Sequence, residues 1–121
     1  MYLLDTNTVI YYFKGAGRVK ERLLALGPKA IVISSMVQYE LEHGLLKITD
    51  PGKRKGLLET FYSVCQHCHF GPAEARAAAQ IRHDLEKRGE SIGPLDVLIA
   101  GTALANGWTL VTHNVGEFKK I

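Results

Sequence analysis

Tyr2-Leu3-Leu4-Asp5-Thr6-Asn7-Thr8 stands at the start of the chain, and the way these residues are read decides the fold. Tyr2, Leu3 and Leu4 form an apolar run with no polar alternation, the pattern of a strand buried on both faces of a parallel sheet. The run stops at a carboxylate followed by hydroxyl and amide side chains. That is the chemistry of a metal-binding Asp with neighbours that orient it by hydrogen bonds. It is equally the chemistry of a helix N-cap, where Asp, Thr and Asn are all favoured.

Working outward, strand-like and helix-like segments alternate, which predicts a parallel α/β sheet. Asn7 to Lys14 reads as a helix with Val9, Tyr12 and Phe13 on one face. Arg18 to Leu26 reads as a second helix that stops at Gly27-Pro28. Ala30 to Ile33 is the next strand, and Ser35 with Gln38 fits a capping box for a helix running to about Lys47. Leu57, Leu58, Phe61, Tyr62 and Cys65 mark a further apolar helix face, followed by a short strand near His67 to Phe70. The alanine-rich segment Pro72 to Arg88 should be a helix, with Ala77, Ala78, Ile81 and Leu85 inward and Gly89 as its C-cap. Pro94 opens another helix that ends at Asn106-Gly107, and Trp108 to Thr112 is the last strand read from these patterns. Residues 1–121 show no repeat or linker and are expected to form one domain.

Three carboxylates fall at junctions of this scheme. Asp5 follows the first strand, Glu40 lies early in the helix after the second, and Asp96 is about the third residue of the helix opened by Pro94. In an open parallel sheet, ligands bind in the crevice beyond the carboxyl ends of the strands. Three acids meeting there cannot all be ionised without a compensating charge, and a divalent cation is the simplest source of one. At and beyond the end of the last strand, Thr112, Asn114 and Glu117 should reach the same crevice, with His113 near it. Asn114 could bind metal or its water through the amide oxygen, Glu117 could add a fourth charge, and His113 could contact a phosphate.

The bulk numbers agree with that chemistry. A chain of 121 residues, 46% hydrophobic and 22% charged, is globular. It has no apolar run of the roughly 18–20 residues that span a bilayer. No signal segment precedes the first strand, so a cytoplasmic location is expected. The chain has 15 Lys+Arg against 12 Asp+Glu. With Asp5, Glu40 and Asp96 committed to a metal, nine acids remain (12 − 3), and a basic rim around an acidic centre suits a nucleic-acid substrate. Cys65 and Cys68 offer only one CxxC pair, short of the ligand set of a structural zinc, and are expected to be ordinary reduced thiols.

Four segments together carry a resemblance: LLDTN (Leu3 to Asn7), VQYEL around Glu40, IGPLDVLIA around Asp96, and TLVTHNVGEF near the end. In this order and spacing, the chain resembles the PIN-domain ribonucleases of the VapC toxin type. The resemblance implies a PIN-like three-layer α/β/α fold with a central, mostly parallel sheet of four or five strands. It implies Mg²⁺ or Mn²⁺ bound by Asp5, Glu40 and Asp96. Thr6, Asn7 and Thr112 would support them, and the fourth ligand would be Asn114, which stands where many relatives carry Asp, Glu117 or a water. It also implies an RNA substrate, products ending in 5′-phosphate and 3′-hydroxyl, a VapB-like antitoxin partner and a homodimer. Relatives usually add a short strand beyond the position of Ile121, so this edge of the sheet is expected to be trimmed or finished differently.

The apolar surplus at Ile10, Tyr11, Leu58 and Tyr62 fits such interfaces. Two other readings compete. One is a catalytically inactive PIN-like module that binds RNA or protein. The other is a haloacid-dehalogenase-like phosphatase, which needs a second Asp where this chain has Asn7.

Overall fold

The computed structural model describes all residues except 16, 17, 113 and 114, together with the side chains of Val115 and Glu117. In chain order the elements are β1 (Tyr2–Leu4), α1 (Thr6–Lys14), α2 (Val19–Leu26), a 3-10 turn (Pro28–Ala30), β2 (Ile31–Ser34), α3 (Ser35–Leu46) and α4 (Gly52–Val64). They continue with β3 (Gln66–Cys68), α5 (Pro72–Lys87), α6 (Pro94–Asn106), β4 (Thr109–Val111) and α7 (Val115–Phe118). The four strands form one parallel sheet in the order β3-β2-β1-β4. Leu3, Leu4, Ile31, Val32 and Ile33 are all buried, so the central strands present apolar side chains to both faces. Helices flank the sheet, as the sequence leads one to expect.

Two differences from the sequence reading have clear causes. The helix after β2 is capped by Ser34 rather than Ser35: Val37 N donates to Ser34 Oγ at 3.2 Å. Ser35 Oγ donates instead to the Cys68 carbonyl at 3.3 Å, tying the start of α3 to edge strand β3. On α4, Leu58 is 3% exposed and belongs to the core with Phe61 and Cys65, while Leu57 faces outward. Leu58 therefore adds nothing to the apolar surface, and Ile10 and Tyr62 are partly buried against the core; Tyr11 is exposed as expected, together with Leu24, Tyr39, Leu46, Leu57 and Leu104.

The alanines of α5 do what small residues allow. A β-carbon on Gly101 of α6 would stand 2.6 Å from Ala78 Cβ and 2.7 Å from its backbone, so the two helices meet at a distance only glycine permits. The contact belongs to a second apolar cluster, Ala78, Ile81, Leu85, Val97 and Ala100, which fixes α6 against α5. Ala77 is only half-buried, and Lys87 rather than Arg88 is the last residue of α5. Both cysteines are free thiols. Among the described residues, no helix is long and apolar enough to cross a membrane.

Candidate functional site

The order β3-β2-β1-β4 reverses direction at β1. The chain builds outward from β1 through β2 to β3, then returns to lay β4 on the other side of β1. The crevice beyond the carboxyl ends of β1 and β4 is thus the switch point where an open α/β sheet binds its ligand.

Asp5 leaves β1 at that point with extended backbone (φ −81°, ψ 170°) and caps α1. Thr8 N donates to its Oδ1 at 2.9 Å, and Thr112 Oγ1 donates to its Oδ2 at 2.5 Å. The backbone N–H of Asp5 donates to the Val111 carbonyl at 3.2 Å, as does the Thr8 hydroxyl. The carboxylate is therefore held from both sides of the switch point. Asp5 serves at once as the helix cap and as the buried acid, so the two readings of the sequence coexist. It is 4% exposed, and among the described residues no cation pairs with it.

Glu40 comes from the second turn of α3. Thr6 Oγ1, in the first turn of α1, donates to its Oε1 at 2.6 Å. Its second oxygen accepts no hydrogen bond among the described residues. Asp5, Thr6, Glu40 and Thr112 thus form one constellation drawn from α1, α3 and the end of β4. Asn7 points to solvent.

Asp96 is the third residue of α6, after Gly93 as N-cap and Pro94 at the first position. Because α6 leads through Gly107 into the start of β4, its first turn stands at the opposite end of the sheet, which is the carboxyl end. The positive end of the helix dipole favours a carboxylate there. A β-carbon at Gly93 would lie 3.4 Å from Asp96 Oδ2, so the carboxylate folds back over its own helix start. Among the described residues, no three His, Cys, Asp or Glu side chains lie close enough together to surround an ion. The structure joins Asp5 to Glu40 through α1 and brings Asp96 to the same sheet end from the far side. His113, Asn114 and the side chain of Glu117 lie outside the described residues.

Asp5 and Glu40 supply oxygen donors of the kind a hard divalent cation takes. Such ions take carboxylate oxygens, and a buried acid without a cationic neighbour is costly unless a counter-charge arrives. Thr8 was missed in the sequence. It is 1% exposed and bridges α1 to β4, and the only hint was its place as a second hydroxyl in Asp5-Thr6-Asn7-Thr8. Cys65 sits at the amino end of β3, away from this crevice, and burial pushes its thiol up to about 11.

Comparison with known proteins follows the same lines. Residues 2–121 match the PIN domain family. The tRNA(fMet)-specific endonuclease VapC of Salmonella typhimurium is 32% identical over 120 residues, covering 99% of this chain and 91% of that protein. Ribonuclease VapC2 of Rickettsia felis is 35% identical over 123 residues, covering 100% and 92%. Among solved structures, VapBC2 from Rickettsia felis bound to a DNA fragment from its promoter superposes with a TM-score of 0.89 at 34% identity, covering 99% and 92%. The chain belongs to the PIN-domain family, alongside the VapC proteins.

Proposed function

We propose that this protein is the toxin of a toxin–antitoxin pair and acts as a metal-dependent endoribonuclease, with Asp5, Glu40 and Asp96 holding Mg²⁺ or Mn²⁺. One observation carries the reading above the others. A buried carboxylate with no cationic partner among the described residues is fixed by two donors at the sheet's switch point, beside a second carboxylate fixed by a third. The named activities of the two VapC relatives support the same chemistry.

When bound, the ion would lower the pKa of a coordinated water and neutralise charge developing on the phosphodiester. The rest falls to the chain. Thr8 N and Thr112 Oγ1 each occupy one lone pair of Asp5, fixing the direction of the remaining ones. Thr6 does the same for Glu40 Oε1 and leaves Oε2 without a hydrogen bond among the described residues. The first turn of α6 brings Asp96 together with the positive end of a 13-residue helix, a favourable place for a phosphate. No side chain is needed as a nucleophile, and Cys65 is excluded from that role by its burial at the opposite end of the sheet. Products would end in 5′-phosphate and 3′-hydroxyl.

The partners follow from surface and kinship. Tyr39 is 60% exposed, Leu46 84%, Leu24 62% and Leu104 62%, and exposed apolar side chains of this size suit protein interfaces. A VapB-like antitoxin and a second copy of the chain are the proposed occupants. The protein would work in the cytoplasm, where its RNA is. The test is cleavage of a panel of purified transfer, ribosomal and messenger RNAs, including initiator tRNA, with sequencing of the 5′-phosphate ends. Discrete cuts that vanish with EDTA support the proposal, and intact RNA at every metal concentration overturns it.

A further inference from the structure

The segment that delivers Asp96 to the crevice is open on one flank. Glu90, Ser91, Ile92 and Pro94 line one wall of an apolar cavity of about 700 Å³ between α5 and the first turns of α6. Val97 and Ala100 pack α6 against α5, and on the open flank Phe118 and Lys120 add further ties to the turn before α6. Arg88 Nη2 donates to the Lys120 carbonyl, and Lys120 Nζ donates back to the Ser91 carbonyl at 3.2 Å. Arg88 also pairs with Glu90 at 3.8 Å, and Phe118, like Ile92, packs against the cluster of Ala78, Ile81, Leu85, Val97 and Ala100.

We infer that this reciprocal clasp is a positioning device, in which Arg88, Lys120 and Phe118 set the start of α6 and so hold Asp96 at the distance from Asp5 that metal binding requires. Resting on the reading of Asp96 as a metal ligand, it joins two segments that each feed the crevice, the β4–α7 strand end through Thr112 and α6 through Asp96. The hydrogen bonds cross from one segment to the other in both directions, so displacing either segment loosens the other. The contacts of these three side chains named above run to Glu90, the Ser91 and Lys120 carbonyls and the apolar cluster, and not to Asp5 or Glu40. Their effect should therefore appear in metal affinity rather than in the chemical step.

The experiment uses the full chain carrying Arg88→Ala, Arg88→Lys, Lys120→Ala or Phe118→Ala. Three quantities are read: Mn²⁺ binding by calorimetry without RNA, hydrogen exchange at the Val97 amide, which bonds the Gly93 carbonyl at 3.1 Å, and RNA cleavage against metal concentration. Arg88→Ala should weaken Mn²⁺ binding about tenfold, the lower edge of what residues orienting a metal ligand contribute. Faster exchange at Val97 and a cleavage rate at saturating metal within about twofold of the parent should accompany it. Arg88→Lys should recover part of the affinity. Leu58→Ala, a core change on α4, controls for loss of stability and should leave Mn²⁺ affinity unchanged. Parent-like Mn²⁺ affinity in Arg88→Ala and Phe118→Ala refutes the clasp, and so does equal weakening in Leu58→Ala. Failure of the parent itself to bind Mn²⁺ refutes instead the proposed function.

Discussion

Replacing Asp5 separates its two jobs. In Asp5→Asn the side-chain oxygen can still accept from Thr8 N, and Asn caps helices as well as Asp does. The Thr112 hydroxyl can rotate to accept from the new amide, so no polar group is stranded, and a buried charge is removed. Metal-free stability should change by no more than about 1 kcal/mol in either direction. Asp5→Ala loses the cap and leaves the buried Thr8 amide without its acceptor, a cost of about 2 kcal/mol at the upper end for a lost cap. That is a fall of roughly 8 °C in melting temperature for a chain of this size. Mn²⁺ at about a hundred times its Kd should raise the parent by about 2.7 kcal/mol and leave both variants unmoved. Thermal melts followed by circular dichroism, with and without Mn²⁺, read all of this. If Asp5→Asn shows the parent's metal-induced rise, Asp5 is a cap and nothing more. If it melts as low as Asp5→Ala, the hydrogen-bond argument is wrong.

Thr6→Val keeps the shape of the side chain but frees Glu40, so cleavage should fall about tenfold or more while the melting temperature moves by only a few degrees; equal losses of both would show that Thr6 is merely structural. Gly101→Ala should cost about 2–3 kcal/mol by urea unfolding, because its new methyl would meet the Ala78 backbone at 2.7 Å; a neutral result would mean that α5 and α6 can part without loss. Cys65 has its thiol pushed from 9.0 up to about 11 by burial, so the folded state holds this proton more tightly than the unfolded chain. Its contribution is complete below pH 9 and lost as pH rises toward 11. The urea midpoint of Cys65→Ala should therefore fall less between pH 8 and pH 10.5 than that of the parent, and identical falls would contradict the assignment.

Much of the fold was legible because its strands announce themselves. Tyr2-Leu3-Leu4 and Ile31-Val32-Ile33 carry no polar alternation, so burial on both faces follows directly, and a parallel sheet with flanking helices follows from that. Helix ends at Gly27, Gly107 and Pro94 were legible for the same reason: backbone chemistry at those residues permits little else. The capping serine was not, since Ser34 and Ser35 are chemically identical and only the position of Cys68 on β3 decides which of them turns toward α3. The outward turn of Leu57 was hidden as well, because adjacent leucines give a helix two candidate faces. At the site, sequence supplied the acids and structure supplied what holds them. Thr112 lies 107 residues from Asp5 in the chain, and nothing local to either says that they meet. The role of Thr8 depends on β4 lying beside β1, which is a property of the topology alone.

If Asp5, Glu40 and Asp96 together hold the ion, RNA cleavage depends on it. The decisive readout is the initial rate of cleavage against Mg²⁺ concentration, for the parent and for Asp5→Asn, Glu40→Gln and Asp96→Asn. A saturable metal dependence is expected in the parent, with rates reduced at least a thousandfold, about 4 kcal/mol of lost transition-state stabilisation, in the two aspartate variants. Glu40→Gln should need more metal to reach half its maximal rate. Parent-like rates in Asp5→Asn or Asp96→Asn, or cleavage that persists in EDTA, would contradict this assignment.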